Sequence, residues 1–158
     1  MTQAHREQPW RDDDVDRGRV IVVSANPVAD AIATIAGTVG HEVVVIAADD
    51  GGPGLADAAP RAGDAVVLCD HDAPDAPRVL REALAGPASY VAMMASRRRA
   101  AGLLAELEAE GVPGLGKLHV PAGHDLGGKG QEIALSVVAE IVAEAHQKDG
   151  GPMRAVGG

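Results

Sequence analysis

The stretch "VIVVSANPVADAI", Val20 to Ile32, decides how the rest of the chain is read. Val20 to Val23 is an unbroken, β-branched apolar run, which predicts a short strand buried on both faces. Ser24 to Asn26 then reads as a tight turn, and Pro27 suits the first position of a helix. A dinucleotide-binding turn places glycines at three positions that here hold Ser24, Asn26 and Ala29. Asn26 therefore has two readings. As a remnant of a nucleotide site it puts a side chain where backbone should meet a pyrophosphate. As an ordinary N-cap it accepts from the first free N–H groups of the helix. Pro27 removes one donor from any phosphate cradle, and Asp30 favours the helix dipole while repelling a phosphate at the same end.

Working outward, short apolar runs alternate with helical patterns. Arg19–Val23, Val43–Ala47, Ala65–Cys69, Tyr90–Met94 and a short Leu118–Val120 read as strands. Val28, Ile32, Ile35 and Val39 recur on one helical face, which Gly40 ends. Residues 76–85 read as a short helix. Residues 97–110 read as a longer one, with Ala100, Leu103, Leu104 and Leu107 inward and Gly111 as the stop. The last helix, 131–146, buries Ala134, Val137, Val138, Ile141 and Ala145. Residues 48–64 are too rich in glycine and proline for more than one or two turns. The alternation predicts an α/β fold: a three-layer sandwich around a mostly parallel sheet of about five strands. Residues 1–17 read as a polar arm, disordered or docking, in which Trp10 is the one residue built for contact. Residues 18–147 form the domain, and 148–158 a flexible tail.

Composition narrows the function. The chain has 158 residues, one Trp, one Tyr and no Phe, so its core is built from aliphatic side chains. The net charge of −9 argues against nucleic-acid or anionic-membrane binding, both of which need a positive surface. Cys69 is the only cysteine, which rules out an intrachain disulfide and fits a reducing compartment. No apolar run approaches the ~20 residues of a membrane-spanning helix, and the N-terminus lacks a signal core. A cytoplasmic location is expected.

Ligands of a parallel sheet gather where strands end and helices begin, so five turns compete for function. The first is Ser24–Asp30. In the second, Asp49 stands where an acidic residue would hold ribose hydroxyls. The third, "LCDHD", offers His71 and Asp72, although adjacent residues of one turn cannot all face one metal ion. The fourth is "SRRRA". Ser96 caps a helix whose free N–H groups sit beside Arg97, Arg98 and Arg99, and clustered arginines at that end oppose the macrodipole unless an anion offsets them. The fifth runs from His119 through His124 and Asp125 to Gly127, Gly128, Lys129 and Gly130. It resembles no P-loop, because the Lys-Ser/Thr pair and the spacing are absent. Each turn also has a structural reading, as cap, strand-end turn, surface ion pair or flexible loop. Together they bring Arg, Lys and His to one edge of an acidic protein, which points to an anionic small molecule or a partner's acidic patch. No nucleophile–base arrangement or carboxylate pair stands out, so a non-catalytic role is expected.

Two segments carry a family resemblance. "PASYVAMMASRRRAAGLLAELEAEGV", Pro87 to Val112, and "KLHVPAGHDLGGKGQEIALSVVAEIVA", Lys117 to Ala143, resemble signature segments of the XdhC/CoxI proteins. "AVVLCDHD" is similar to the family's strand ending in His-Asp. The resemblance spans about residues 18–146 and implies a Rossmann-like C-terminal domain. It does not extend to the family's separate N-terminal domain with its cysteine-bearing segment, and Cys69 lies in no equivalent segment. The family's first turn, Gly-Ala-Gly-His-Val-Gly, appears here as Ser24 to Ala29, and Ala95 stands where a glycine is usual.

These proteins are accessory factors of xanthine and carbon monoxide dehydrogenases. The resemblance implies binding of the molybdenum cofactor (molybdopterin), support of its sulfuration and its transfer to a molybdenum hydroxylase subunit. The positions it implicates are Ser96, Arg97, Arg98, His119, Asp125, Gly127, His71 and Asp72, to which the residues' own chemistry adds Lys129, Asn26 and Asp49. The alternative is an NAD(P)-binding oxidoreductase or regulatory nucleotide-binding domain using the first turn. A third reading is a protein–protein module docking through the arm. A homodimer is expected from the prevalence of symmetric dimers.

Overall fold

A computed structural model describes residues 17–47 and 54–154. Trp10 and Asp49 lie outside the described residues. Val20–Val23 forms β1, and all four residues are buried. Beside it lie β2 (Val43–Ile46), β3 (Ala65–Leu68), β4 (Tyr90–Met93) and the two-residue β5 (Leu118–His119). The spatial order is β2-β1-β3-β4-β5, and every neighbour pair is parallel. The sheet is thus wholly parallel and Rossmann-like in its winding, as the alternation predicts. Strand ends are trimmed relative to the sequence reading: Arg19, Ala47, Cys69, Met94 and Val120 fall just outside the ladders.

Helices α1 (Pro27–Val39), α2 (Leu55–Ala58), α3 (Ala76–Ala85), α4 (Arg97–Glu110) and α5 (Gln131–Ala145) cover both faces, and a 3₁₀ turn, Leu115–Lys117, leads into β5. Strand side chains alternate between faces, so one apolar run feeds two cores. Ile21 and Val23 join Val66, Leu68, Val91 and Met93 beneath α2, α3 and α4. Val20 and Val22 join Val67 and Ala92 beneath α1 and α5. Central strands β1, β3 and β4 are buried throughout, whereas edge strand β2 leaves Val45 52% exposed. Gly40 (φ 112°) and Gly111 (φ 73°) end α1 and α4 in the left-handed conformation that glycine adopts without penalty. Two inward positions differ from expectation. Leu104 is only half-buried and joins neither core. Ala145 is exposed and Ala143 is buried, because α5 ends at the sheet's rim and its last residue projects past it.

At the amino end of the sheet Asp64 is 2% exposed. Its carboxylate accepts from the Arg19 backbone at 3.0 Å, from Arg19 Nε and Nη2 at 3.2 and 2.7 Å, and from the Arg61 N–H at 2.8 Å. Burial alone pushes such a carboxyl upward. The Arg19 and Arg61 donors overcome it and hold Asp64 below the usual carboxylate range. This clasp fixes where β1 and β3 start, and so where their opposite ends emerge.

Candidate functional site

At the carboxyl edge, β1 ends in Ser24, which holds φ 79°. Asn26 follows in extended conformation and caps α1, with Oδ1 accepting from the Ala29 N–H at 2.8 Å. Its Nδ2 donates to the Cys69 carbonyl at 3.1 Å, joining the end of β1 to the end of β3. Cys69 is buried, and burial pushes its thiol up to about 12.

The next turn reaches toward β4. His71 Nδ1 lies 2.9 Å from the Met94 carbonyl, so this nitrogen carries a proton, and Nε2 is 3.4 Å from Asp72. Asp72 in turn accepts from Arg99 at 2.7 Å. Ser96 caps α4 by accepting from the Arg99 N–H at 3.1 Å. The first N–H groups of a helix have no intrahelical partner, which leaves those of Arg97 and Arg98 free. The Arg97 side chain meets Asp125 at 3.1 Å, with both groups largely exposed. Arg98 has no ion-pair partner among the described residues. It shares a groove of about 510 Å³ with His71, Ser96 and Arg99. Asp125 also accepts from the Gly127 N–H at 3.2 Å, which shapes the loop (Gly127 φ 69°) carrying Lys129. The Lys129 N–H donates to Glu132 at 3.0 Å.

The structure therefore gathers His71, Asp72, Ser96, Arg97, Arg98, Asp125 and Gly127 around the start of α4. His119 goes elsewhere. Its ring stacks on Tyr90, with centroids 4.5 Å apart, and Nδ1 lies 3.6 Å from Glu140. The same Glu140 oxygen accepts from the Tyr90 hydroxyl at 2.6 Å and from the Gly123 N–H at 3.1 Å. The Glu140 contact raises the His119 pKa against the opposing effect of burial. Burial pushes Glu140 up, but donation from His119, Tyr90 and Gly123 holds it down. Burial, reinforced by Glu140, pushes the Tyr90 phenol well above its ordinary value. This cluster pins β5 to α5 beneath the edge. Among the described residues no three His, Cys, Asp or Glu side chains converge to hold a metal ion, and no helix is long and apolar enough to cross a membrane.

Sequence reading missed the body of the groove. Leu80 and Arg81 of α3, Met93, and Gly102, Leu103 and Glu106 of α4 extend it away from the arginines. The available signal was the spacing of Arg99, Gly102, Leu103 and Glu106, which share one helical face.

Comparison with known proteins fits this architecture. The chain is 37% identical over 70 residues, 42% of its own length, to the uncharacterized protein YqeB of Escherichia coli K12, of which that match spans 13%. It superposes on the crystal structure of a xanthine dehydrogenase from Bacillus halodurans with a TM-score of 0.69 and 23% identity. That match covers 87% of this chain and 45% of the Bacillus chain, so this chain spans under half of either relative. The sequence model of the XdhC Rossmann domain matches residues 20–141, well over half of the chain, and the chain belongs to that family.

Proposed function

We propose that this domain assists the maturation of a molybdenum-containing hydroxylase, of xanthine or carbon monoxide dehydrogenase type, by holding the anionic end of the molybdenum cofactor. The observation that carries the reading is Arg98: a guanidinium with no ion-pair partner among the described residues, beside two free helix N–H groups, at the mouth of a groove. Such a constellation suits a phosphate, which the free N–H groups and the helix dipole both favour. Asp72 and Asp125 occupy Arg99 and Arg97 and leave Arg98 to the ligand. When bound, the cofactor supplies the molybdenum chemistry of its eventual hydroxylase. The residues of this chain bind and orient it.

The family and the Bacillus protein's name support a dehydrogenase-linked role. A hydroxylase subunit as partner and the cytoplasm as the setting are parts of the same proposal. The same geometry disfavours an NAD(P) site, since Asn26 already spans the crevice between β1 and β3. Reconstitution of a cofactor-free molybdenum hydroxylase tests the proposal. The wild-type chain is expected to raise the yield of active enzyme and the Arg97→Ala/Arg98→Ala variant to fail. Equal yields from both would refute it.

A further inference from the structure

A second cavity, of about 370 Å³, opens at the amino end of the sheet, away from the edge that gathers the arginines. The starts of β1 and β4 line it at Arg19 and Tyr90, and the last turns of α5 line it at Ile141, Val142 and Glu144. His41, just past the end of α1, lines it too and is only 9% exposed.

His41 is the informative residue. Its Nδ1 lies 2.9 Å from the Gly18 carbonyl. A carbonyl only accepts, so Nδ1 holds the proton, and the neutral ring keeps a bare lone pair on Nε2. That Nε2 is buried and has no hydrogen-bond partner among the described residues. A buried acceptor without a donor is costly, and a donor held in the cavity would satisfy it.

The groups around His41 favour a donor that is also a cation. The Glu144 carboxylate has no ion-pair or hydrogen-bond partner among the described residues. Helix α5 ends beside it with no basic residue in its last turn, so no side chain of that turn offsets the negative end of the dipole. The cations nearby serve other groups. Arg19 is held by Asp64 and the Ala59 carbonyl, and Arg17 lies against Gly40 at the end of α1. Tyr90 gives its one proton to Glu140. A ligand thus meets a lone pair, a carboxylate and the negative end of a helix, next to the apolar Ile141 and Val142.

We propose that this cavity binds a small primary amine in its ammonium form, with one N–H directed to His41 Nε2, the charge facing Glu144 and the end of α5, and an apolar body against Ile141 and Val142. The site is independent of any anion at the opposite edge. A primary ammonium carries three donors and no acceptor, which matches what the cavity presents. An alcohol has a donor without the charge, and a quaternary ammonium has the charge without a donor.

Long-range proton–nitrogen NMR of the imidazoles in the whole chain tests this at about pH 8, where histidine is neutral and an alkylamine is still charged. The probes are benzylamine, benzyl alcohol and benzyltrimethylammonium. Benzylamine should shift the His41 Nε2 resonance saturably in the millimolar range, the affinity expected of so few atoms. It should bind about tenfold tighter than either analogue, the worth of a charge-assisted hydrogen bond. Glu144→Gln, a change at an exposed position, should leave Tm unchanged and weaken benzylamine about fivefold. No saturable shift at His41, a shift matched by the alcohol or by the quaternary ammonium, or full affinity in Glu144→Gln would overturn the proposal.

Discussion

Asn26 bridges β1 and β3: one amide group caps α1 through Ala29 at 2.8 Å and donates to the Cys69 carbonyl at 3.1 Å. The strand order turns over between β1 and β3, the crevice where an open α/β sheet receives its ligand. The Asn26 side chain stands at that crevice, and Arg98, with no ion-pair partner among the described residues, lies two strands over, past the end of β4.

Replacing Asn26 should show both bonds. Asn26→Ala loses cap and bridge and is expected to cost about 1–2 kcal/mol in urea denaturation. Asn26→Asp keeps the acceptor for Ala29 and should cost less. Equal losses would show that the Ala29 cap contributes nothing.

The same bridge predicts indifference to nicotinamide cofactors. A ligand at 100 times its Kd stabilises by ~2.7 kcal/mol, which a melting curve resolves easily. Millimolar NAD(H) and NADP(H) are expected to leave Tm unchanged, and a clear rise with either would reopen the first turn as a binding site.

Asp64 should dominate acid sensitivity at the opposite end of the sheet. Its folded pKa lies below its ordinary value of 3.8, so its stabilisation is complete above that value and is lost as pH falls toward the folded one. Asp64→Ala strands a largely buried Arg19 and is expected to cost about 3 kcal/mol. Asp64→Asn should flatten stability against pH below about 4. An unchanged acid limb in Asp64→Asn would locate the sensitivity elsewhere.

His119 and Glu140 set the opposite trend. The His119 pKa is raised above 6.5, so its contribution is full below that value and fades as pH rises through the folded one. Glu140, held below 4.5, stays ionised through that window. His119→Phe keeps a ring against Tyr90 and removes the ion pair. Its deficit in Tm relative to wild type should be larger at pH 5.5 than at pH 8.5, and a deficit independent of pH would reduce the pair to packing.

Wherever one short segment carries its own cause, the sequence sufficed. The runs VIVV and AVVL become buried strands, Asn26 and Ser96 cap the helices they precede, and Gly40 and Gly111 stop the helices they follow. The edge itself was legible because residues ending parallel strands must emerge together. His119 was legible only as chemistry, since its destination depends on Glu140 and Tyr90, far away in the chain. Arg98 was one of three equivalent arginines until Asp72 and Asp125 were seen to take its neighbours.

The direct measurement is the affinity of the intact chain for purified molybdenum cofactor, compared between wild type, Arg98→Ala and Arg78→Ala, an exposed arginine that lines no part of the groove. A lost charge-assisted contact of about 1.5–3 kcal/mol corresponds to roughly ten- to hundredfold weaker binding. The account predicts that loss for Arg98→Ala and none for Arg78→Ala. Equal affinity in all three, or no binding by wild type, would contradict it.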